Sequence, residues 1–154
     1  MKKIYFMNKK YAQWAPLVLR LIIGFGFMQH GWVKLSRGTA GFEKLLLLTG
    51  VPLAHINSMI GPLVEVLGGF AIFVGAFTFI VSIPLIVTML VAMFAIQLNF
   101  GFSSVKTIGL SPTGPLFGPP GYEINLLYIA GLISLMLTGA GKLSIENLLS
   151  RQKA

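Results

Sequence analysis

From Ile60 to Leu98 the chain carries one ionisable side chain, Glu65, in an otherwise apolar stretch. A carboxylate in lipid costs roughly 2.5–3.5 kcal/mol unless it faces a partner or a wet cavity. This stretch can therefore fold only if another group answers Glu65. The other ionisable residues inside or at the ends of apolar segments are Arg20, His30, Lys34, Glu123 and Lys142. Which of them meet Glu65 is most of the functional problem.

A mean hydropathy of +0.83 with only 10% charged residues takes the 154-residue chain out of the soluble globular class and predicts an integral membrane protein. The net charge of +8 does not predict a nucleic-acid partner, because the basic residues punctuate hydrophobic runs instead of forming one solvated face. Lys2, Lys3, Lys9 and Lys10 precede the first run, while Arg151 and Lys153 follow the last. That placement suits anionic lipid at a cytoplasmic surface. With no cysteine, the polypeptide offers neither disulfides nor thiolate metal ligands.

A helix needs about 20 residues to cross the hydrocarbon core. Four segments qualify: Ala15–Leu35, Asn57–Phe79, Ser82–Gly101 and Glu123–Gly141. The first is too long for a signal-peptide core and lacks a clean cleavage site, so it reads as a retained anchor. The second and third would make a helix of about 65 Å if continuous, far too long for one span, so they fold back. Pro84 marks the expected turn, since proline removes a backbone donor and disfavours helix before it. The expected fold is an all-α membrane protein, four transmembrane helices in a compact antiparallel bundle. Residues 1–14 form a basic cytoplasmic segment, 15–149 the membrane domain and 150–154 a basic tail. An even number of crossings puts both termini in the cytoplasm, although the opposing loops also hold Lys34, Arg37, Lys44 and Lys106.

Between the first two segments, Phe42-Glu43-Lys44 and Leu45 to Leu48 predict a short surface helix, too short to span. Ser103 to Tyr122, with its Ser-Pro, Gly-Pro and Gly-Pro-Pro-Gly steps, predicts an irregular, non-helical loop.

Helical spacing then sorts the faces. On the first segment Gly24, Phe27, Gly31 and Lys34 fall within about 40° of Arg20, and His30 about 80° away on the Lys34 side. On the second, Gly61, Gly68, Gly69 and Ile72 share the face of Glu65, so neighbouring backbones can approach closely. Thr88, Ala92, Ala95 and Asn99 line up on the third segment, and Ala130, Ser134 and Gly141 beneath Glu123 on the fourth. Depth brings Glu65 to His30, with Lys34 and Glu123 above, Arg20 reaching up from below, and one of Gln97 and Asn99 joining. The plain structural alternative is that these polar groups only glue helices together. Lys142 is expected to snorkel, and His55 to lie solvated beside an outer loop. Two histidines and no tight ligand spacing give no metal site, and His30 and His55 match poorly as haem ligands.

The run Leu19-Arg20-Leu21 through Gly24, Gln29-His30-Gly31 and Lys34-Leu35 resembles the first membrane helix of the DoxX family. So do Leu63-Val64-Glu65 with Gly68-Gly69, Gly121-Tyr122-Glu123 with Leu126-Leu127-Tyr128, and the stretch from Thr138 through Gly141-Lys142-Leu143 to Glu146. The resemblance implies a bacterial inner-membrane protein of four helices, related to membrane subunits of thiosulfate:quinone oxidoreductase and to members of oxidative-stress complexes. Arg20, His30, Lys34, Glu65 and Glu123 occupy family motif positions. Where relatives often have histidine near the end of the third helix, this chain has Gln97. An amide hydrogen-bonds but does not titrate, so proton transfer by such a histidine does not carry over.

The expected role is a membrane subunit of a quinone-linked redox system. Its ligand-binding set is Arg20, His30, Lys34, Glu65, Gln97 and Glu123, around a quinone or similar amphipathic molecule in the outer half. A quinone carbonyl wants donors such as His30, Lys34 or Gln97, and quinone chemistry wants a proton site such as Glu65. With no intrinsic cofactor, the chain would need a redox-active partner subunit carrying flavin, haem or an iron–sulfur centre, and is not expected to be an enzyme alone. The lipid bilayer is a further partner, a homo-oligomer is compatible, and nucleic acid is not expected. The rival readings are an assembly scaffold and an ion- or proton-coupled transporter, the latter disfavoured by the lack of inverted halves.

Overall fold

The computed structural model describes residues 11–152. Lys2, Lys3, Lys9, Lys10 and Lys153 lie outside the described residues, so the structure does not bear on the basic termini that suggested orientation.

Helix α1 (Ala15–Ser36) is followed by the short α2 (Thr39–Leu48), α3 (Ala54–Val74) and α4 (Thr78–Ala92). Beyond α4 the helix widens into a π turn over Met93–Gln97 and tightens into a 3₁₀ turn over Leu98–Phe100. An antiparallel hairpin, β1 (Thr107–Ser111) and β2 (Gly114–Phe117), leads to α5 (Glu123–Thr138) and the short α6 (Ile145–Arg151). Two helical stretches, Ala54–Val74 and Thr78–Phe100, are long and apolar enough to cross a membrane, while α5 is apolar but shorter. Arg20, Gln29, His30 and Lys34 lower the hydropathy of α1, although its 22 residues span about 33 Å.

α1 packs along α3, α3 against α4, α4 against α5, and α5 back against α1. Their shared core is Ile23 and Phe27 from α1, Ile72 from α3, Leu85 from α4, and Leu132 and Leu135 from α5. The α1–α3 contact is the closest, and glycine makes it possible. A Cβ on Gly24 would lie 2.6 Å from the Gly69 carbonyl oxygen, and one on Gly69 would lie 2.7 Å from that of Gly24. Each helix thus presents bare backbone to the other, which is how membrane helices gain dispersion contact without a hydrophobic drive between them.

Three expectations need correction. The turn between the second and third segments is not at Pro84, which lies inside α4, but at Gly75-Ala76-Phe77. Gly75 ends α3 at φ 69°, a left-handed cap that glycine adopts without strain, and its N–H donates to the Ile72 carbonyl. Pro84 is tolerated within an apolar helix because local adjustments and neighbours satisfy the backbone group it frees. On α5 the packed face is Asn125, Leu132 and Leu135, whereas Ala130 of the anticipated small-residue stripe is exposed. Finally, the segment from Ser103 to Tyr122 contains no helix but is not wholly irregular, because the β1–β2 hairpin sits within it. The return to α5 is fastened where Tyr122 and Glu123 N–H groups donate to the Gly101 and Phe102 carbonyls. The short helix after α1 forms as expected, as α2.

Candidate functional site

Lys34 Nζ, in the last turn of α1, lies 2.6 Å from both carboxylate oxygens of Glu65, midway along α3. Glu65 is buried at 4% exposure, while the Lys34 side chain keeps 28%. Helix spacing explains the meeting: Lys34 is one turn beyond Gly31, and a Cβ on Gly31 would sit 3.0 Å from Cβ of Glu65. The missing side chain at 31 lets α1 approach closely enough for Lys34 to close over the acid. The ring of Phe42 on α2 covers the ammonium, its centroid 4.8 Å from Nζ, a cation–π contact that stabilises the charge in apolar surroundings.

This pair forms one wall of a cavity of about 590 Å³. His30 and Gly61 lie beside it, α4 contributes Thr88, Met89 and Ala92, and the π turn adds Ile96 and Gln97. Successive side chains are turned less far around a π turn than around an α turn, so adjacent Ile96 and Gln97 both reach the cavity. Such turns are frequent at functional sites. Pro119 and Pro120 of the loop after the hairpin, with Ile124 and Asn125 of α5, close the far side. Most of the lining is apolar. Val87, Val91 and Leu45 line the cavity yet remain substantially exposed, which puts them at its rim.

The anticipated ligand set divides. Glu65, Lys34, His30 and Gln97 meet around the cavity, and Asn99, the alternative to Gln97, is exposed and does not line it. His30 makes no hydrogen bond among the described residues and stacks edge-on against Tyr128, centroids 5.9 Å apart. Glu123 does not line the cavity. Its carboxylate accepts from the Ser104 N–H at 3.0 Å and so anchors the loop between α4 and the hairpin.

Arg20 does not reach up towards Glu65. It lies 14 residues before Lys34 on α1, about 21 Å away along the axis, and is 1% exposed. Its Nη2 donates to the carbonyls of Lys142 at 3.2 Å and Leu143 at 2.5 Å. The guanidinium also abuts Gly75, where a Cβ would collide with Nη1. Glu146 joins this end by accepting from the Thr78 N–H at 2.5 Å. Arg20 therefore clamps α1 to the α3–α4 turn and to the chain entering α6. The reason is local: those free carbonyls are much nearer than the acid. Lys142, expected to snorkel, places its ammonium 5.2 Å from the ring centroid of Trp14. His55 lies 3.3 Å from the Glu43 carboxylate on the surface.

Asn125 is a buried polar residue that the sequence does not single out, because an uncharged amide demands no partner charge. It is 3% exposed, and its Nδ2 donates to the Met89 carbonyl at 3.3 Å. The available signal was an amide two residues inside the start of an otherwise apolar helix.

A model of the DoxX family matches residues 15–98, more than half of the chain. The chain belongs to the DoxX family. The matched DoxX segment contains Arg20, His30, Lys34, Glu65 and Gln97, whereas Asn125 and Glu123 fall after it. An uncharacterized membrane protein of Mycobacterium tuberculosis (strain H37Rv) is 26% identical over 155 residues, covering 92% of this chain and 86% of the relative. No solved structure matches. This protein is thus a DoxX-family membrane protein with a cavity that has a buried acid and its half-buried lysine partner in one wall.

Proposed function

We propose that α1, α3, α4 and α5 all cross the bacterial inner membrane, with both termini in the cytoplasm, and that the cavity binds the headgroup of a quinone or similar small amphipathic molecule. The observation that carries this reading is the cavity of about 590 Å³, mostly apolar, with the Lys34–Glu65 pair, His30 and Gln97 grouped in its wall. Its size and its few convergent polar groups suit a small organic ligand. The exposed rim at Val87, Val91 and Leu45 suits a ligand that arrives from the lipid phase. Lys34 retains a donor direction beyond the two used on Glu65, and His30 and the Gln97 amide add others suited to a carbonyl oxygen.

The chain holds no cysteine and, among the described residues, no cluster of metal-ligating side chains. In this reading electrons therefore come from or go to a redox-active partner subunit, and the chain serves as its membrane subunit. Mass spectrometry of small molecules retained in mild detergent tests the proposal: a quinone is expected, with weaker affinity in Glu65→Gln. Protein that carries no quinone, and whose quinone affinity is unchanged by Glu65→Gln, overturns it.

The close α1–α3 packing at Gly31 favours a second reading, in which the Lys34–Glu65 pair is an interhelical clasp and the chain an assembly scaffold. Under that reading, replacing the pair lowers stability without altering ligand content.

A further inference from the structure

Between Phe100 and Glu123 the chain leaves the helices as a ribbon whose two sides are stapled together. The Gly118 N–H donates to the Lys106 carbonyl at 2.8 Å, and the Gly121 N–H to that of Ser103 at 3.0 Å. Lys106 is the only charged residue from Val66 to Tyr122. Beyond it Leu110 sits opposite Pro115 in the hairpin, with Phe117 two residues further along the same face and Leu116 on the other. All four are exposed, and Leu110, at 83%, is the most exposed large apolar side chain among the described residues. A two-stranded hairpin is marginal in water even without bare apolar residues on both faces. This one needs apolar surroundings.

We infer that the hairpin is seated in the phospholipid bilayer, at the boundary of headgroups and acyl chains in the leaflet where α4 ends and α5 begins. Exposed apolar side chains continue from the membrane-crossing stretch Thr78–Phe100, at Val91, Phe94 and Leu98, through Phe102 and Val105 into the hairpin. The hairpin thus extends a surface that already faces lipid. A second copy or another protein stacked on one face would leave the other bare, and edge-to-edge pairing would leave both bare. Lipid surrounds the two faces together. The backbone sets the depth: β1 and β2 pair only with each other, so their outer edges carry N–H and C=O groups that hydrocarbon would leave unmet and that headgroups and water satisfy. Lys106, at the root of the ribbon, then lies where an ammonium meets lipid phosphate. Seated in this way, the hairpin ties to the bilayer the loop whose Pro119 and Pro120 line the cavity, whatever that cavity holds.

Because the chain has no cysteine, single nitroxide labels can be placed in the full-length protein in nanodiscs of phosphatidylcholine and phosphatidylglycerol. Leu110→Cys and Phe117→Cys report one face of the hairpin, Leu116→Cys the other, and Phe94→Cys serves as the lipid reference. Oxygen concentrates in lipid and a water-soluble nickel chelate stays out of it, so power saturation with each reads depth. Labels on both faces are expected to meet oxygen more than nickel, as at Phe94, with the thermal midpoint of the protein unchanged because every labelled position is exposed. Combining Leu110→Asp with Phe117→Asp should shift the Leu116→Cys label towards nickel; no shift overturns the seating of the hairpin by these side chains. Labels that meet nickel more than oxygen put the hairpin in water and overturn the proposal. A face closed to both reagents is covered by protein, a second copy included, and overturns it as well. Nickel access at Phe94→Cys overturns the crossing of α4 and the seat with it, whereas nickel access at the hairpin alone overturns only the seat.

Discussion

The two ends of α1 solve the same problem in opposite ways. At one end Arg20 is almost wholly buried and closed in by the carbonyls of Lys142 and Leu143 and by the α3–α4 turn. At the other, Lys34 meets a carboxylate and leaves a cavity beside the pair. Both are cations on one helical stripe, but Lys34 meets a carboxylate and Arg20 only backbone carbonyls. Beside Lys34 lies a cavity of about 590 Å³, whereas the Arg20 end has only a shallower hollow of about 270 Å³ at Gly141, Ser144 and Glu146. A charge within an apolar helix is therefore not enough to mark a site; it becomes a candidate when a cavity of ligand size lies beside it. By that measure the Arg20 end is structural and the Lys34 end is available for binding.

The sharpest way to break this comparison is Arg20→Ala. It removes two hydrogen bonds from a charged donor, each worth about 1.5–3 kcal/mol, and leaves a void among three elements. A loss of about 3–5 kcal/mol is expected, read as a large drop in the thermal midpoint in detergent, while protein that remains folded keeps its ligand affinity. Lost affinity at unchanged stability would mean that the two ends are coupled and that the division is wrong.

Next in size is Gly69→Val, which places a side chain where only 2.7 Å separates the Cβ position from the Gly24 carbonyl oxygen. Overpacking of this kind costs about 1–3 kcal/mol. Because the α1–α3 contact also aligns Lys34 with Glu65, ligand affinity should fall together with the midpoint. A variant with full stability would show that the helices are not held at this spacing.

How far the sequence foretold these two ends depends on the range of each interaction. That the basic stripe of α1 answers Glu65 was legible because 3.6-residue periodicity put Gly31 and Lys34 on one face and a lone acid demanded a partner, but depth set His30 against the acid and Lys34 above it, whereas Lys34 makes the contact. The fate of Arg20 was not legible, because its partners are backbone carbonyls more than a hundred positions away, and a carbonyl leaves no residue-type signature. Pro84 misled for a related reason: proline reports a local backbone preference, whereas the turn is set by Gly75, whose glycine also makes room for Arg20. Asn125 shows the same limit from the polar side. An uncharged amide in an apolar run is an ordinary packing residue until the structure reveals that its oxygen faces no donor.

Glu65→Ala comes third. It leaves Lys34 without its counter-charge, but Lys34 is partly exposed and can swing towards water, so the loss should be smaller than at Arg20, about 1–2 kcal/mol. The exchange Lys34→Glu with Glu65→Lys separates the clasp from the ligand site. If the pair only joins helices, the double variant should regain most of the stability and lose nothing else. If it serves a ligand, stability should return without affinity, because the cation now projects from α3 instead of α1.

The smallest effect belongs to Glu123→Gln. Its carboxylate accepts one backbone N–H, from Ser104, and replacement by an amide keeps an acceptor of nearly the same shape in the same place. The Ile124 N–H donates to Ser104 Oγ at 3.2 Å and Ser104 Oγ contacts the Gly121 carbonyl at 3.4 Å, so the loop is fastened to the start of α5 by more than this one contact. A change below about 1 kcal/mol is expected, the difference between a charge-assisted and a neutral hydrogen bond. Ligand affinity should be indistinguishable from wild type, since the side chain stands outside the cavity wall. Affinity that fell in Glu123→Gln as steeply as in Glu65→Gln would move the boundary of the site: the loop it anchors accepts from the Gly121 N–H at Ser103, beside Pro119 and Pro120 of the cavity, and that wall would then have to be counted as part of the binding surface.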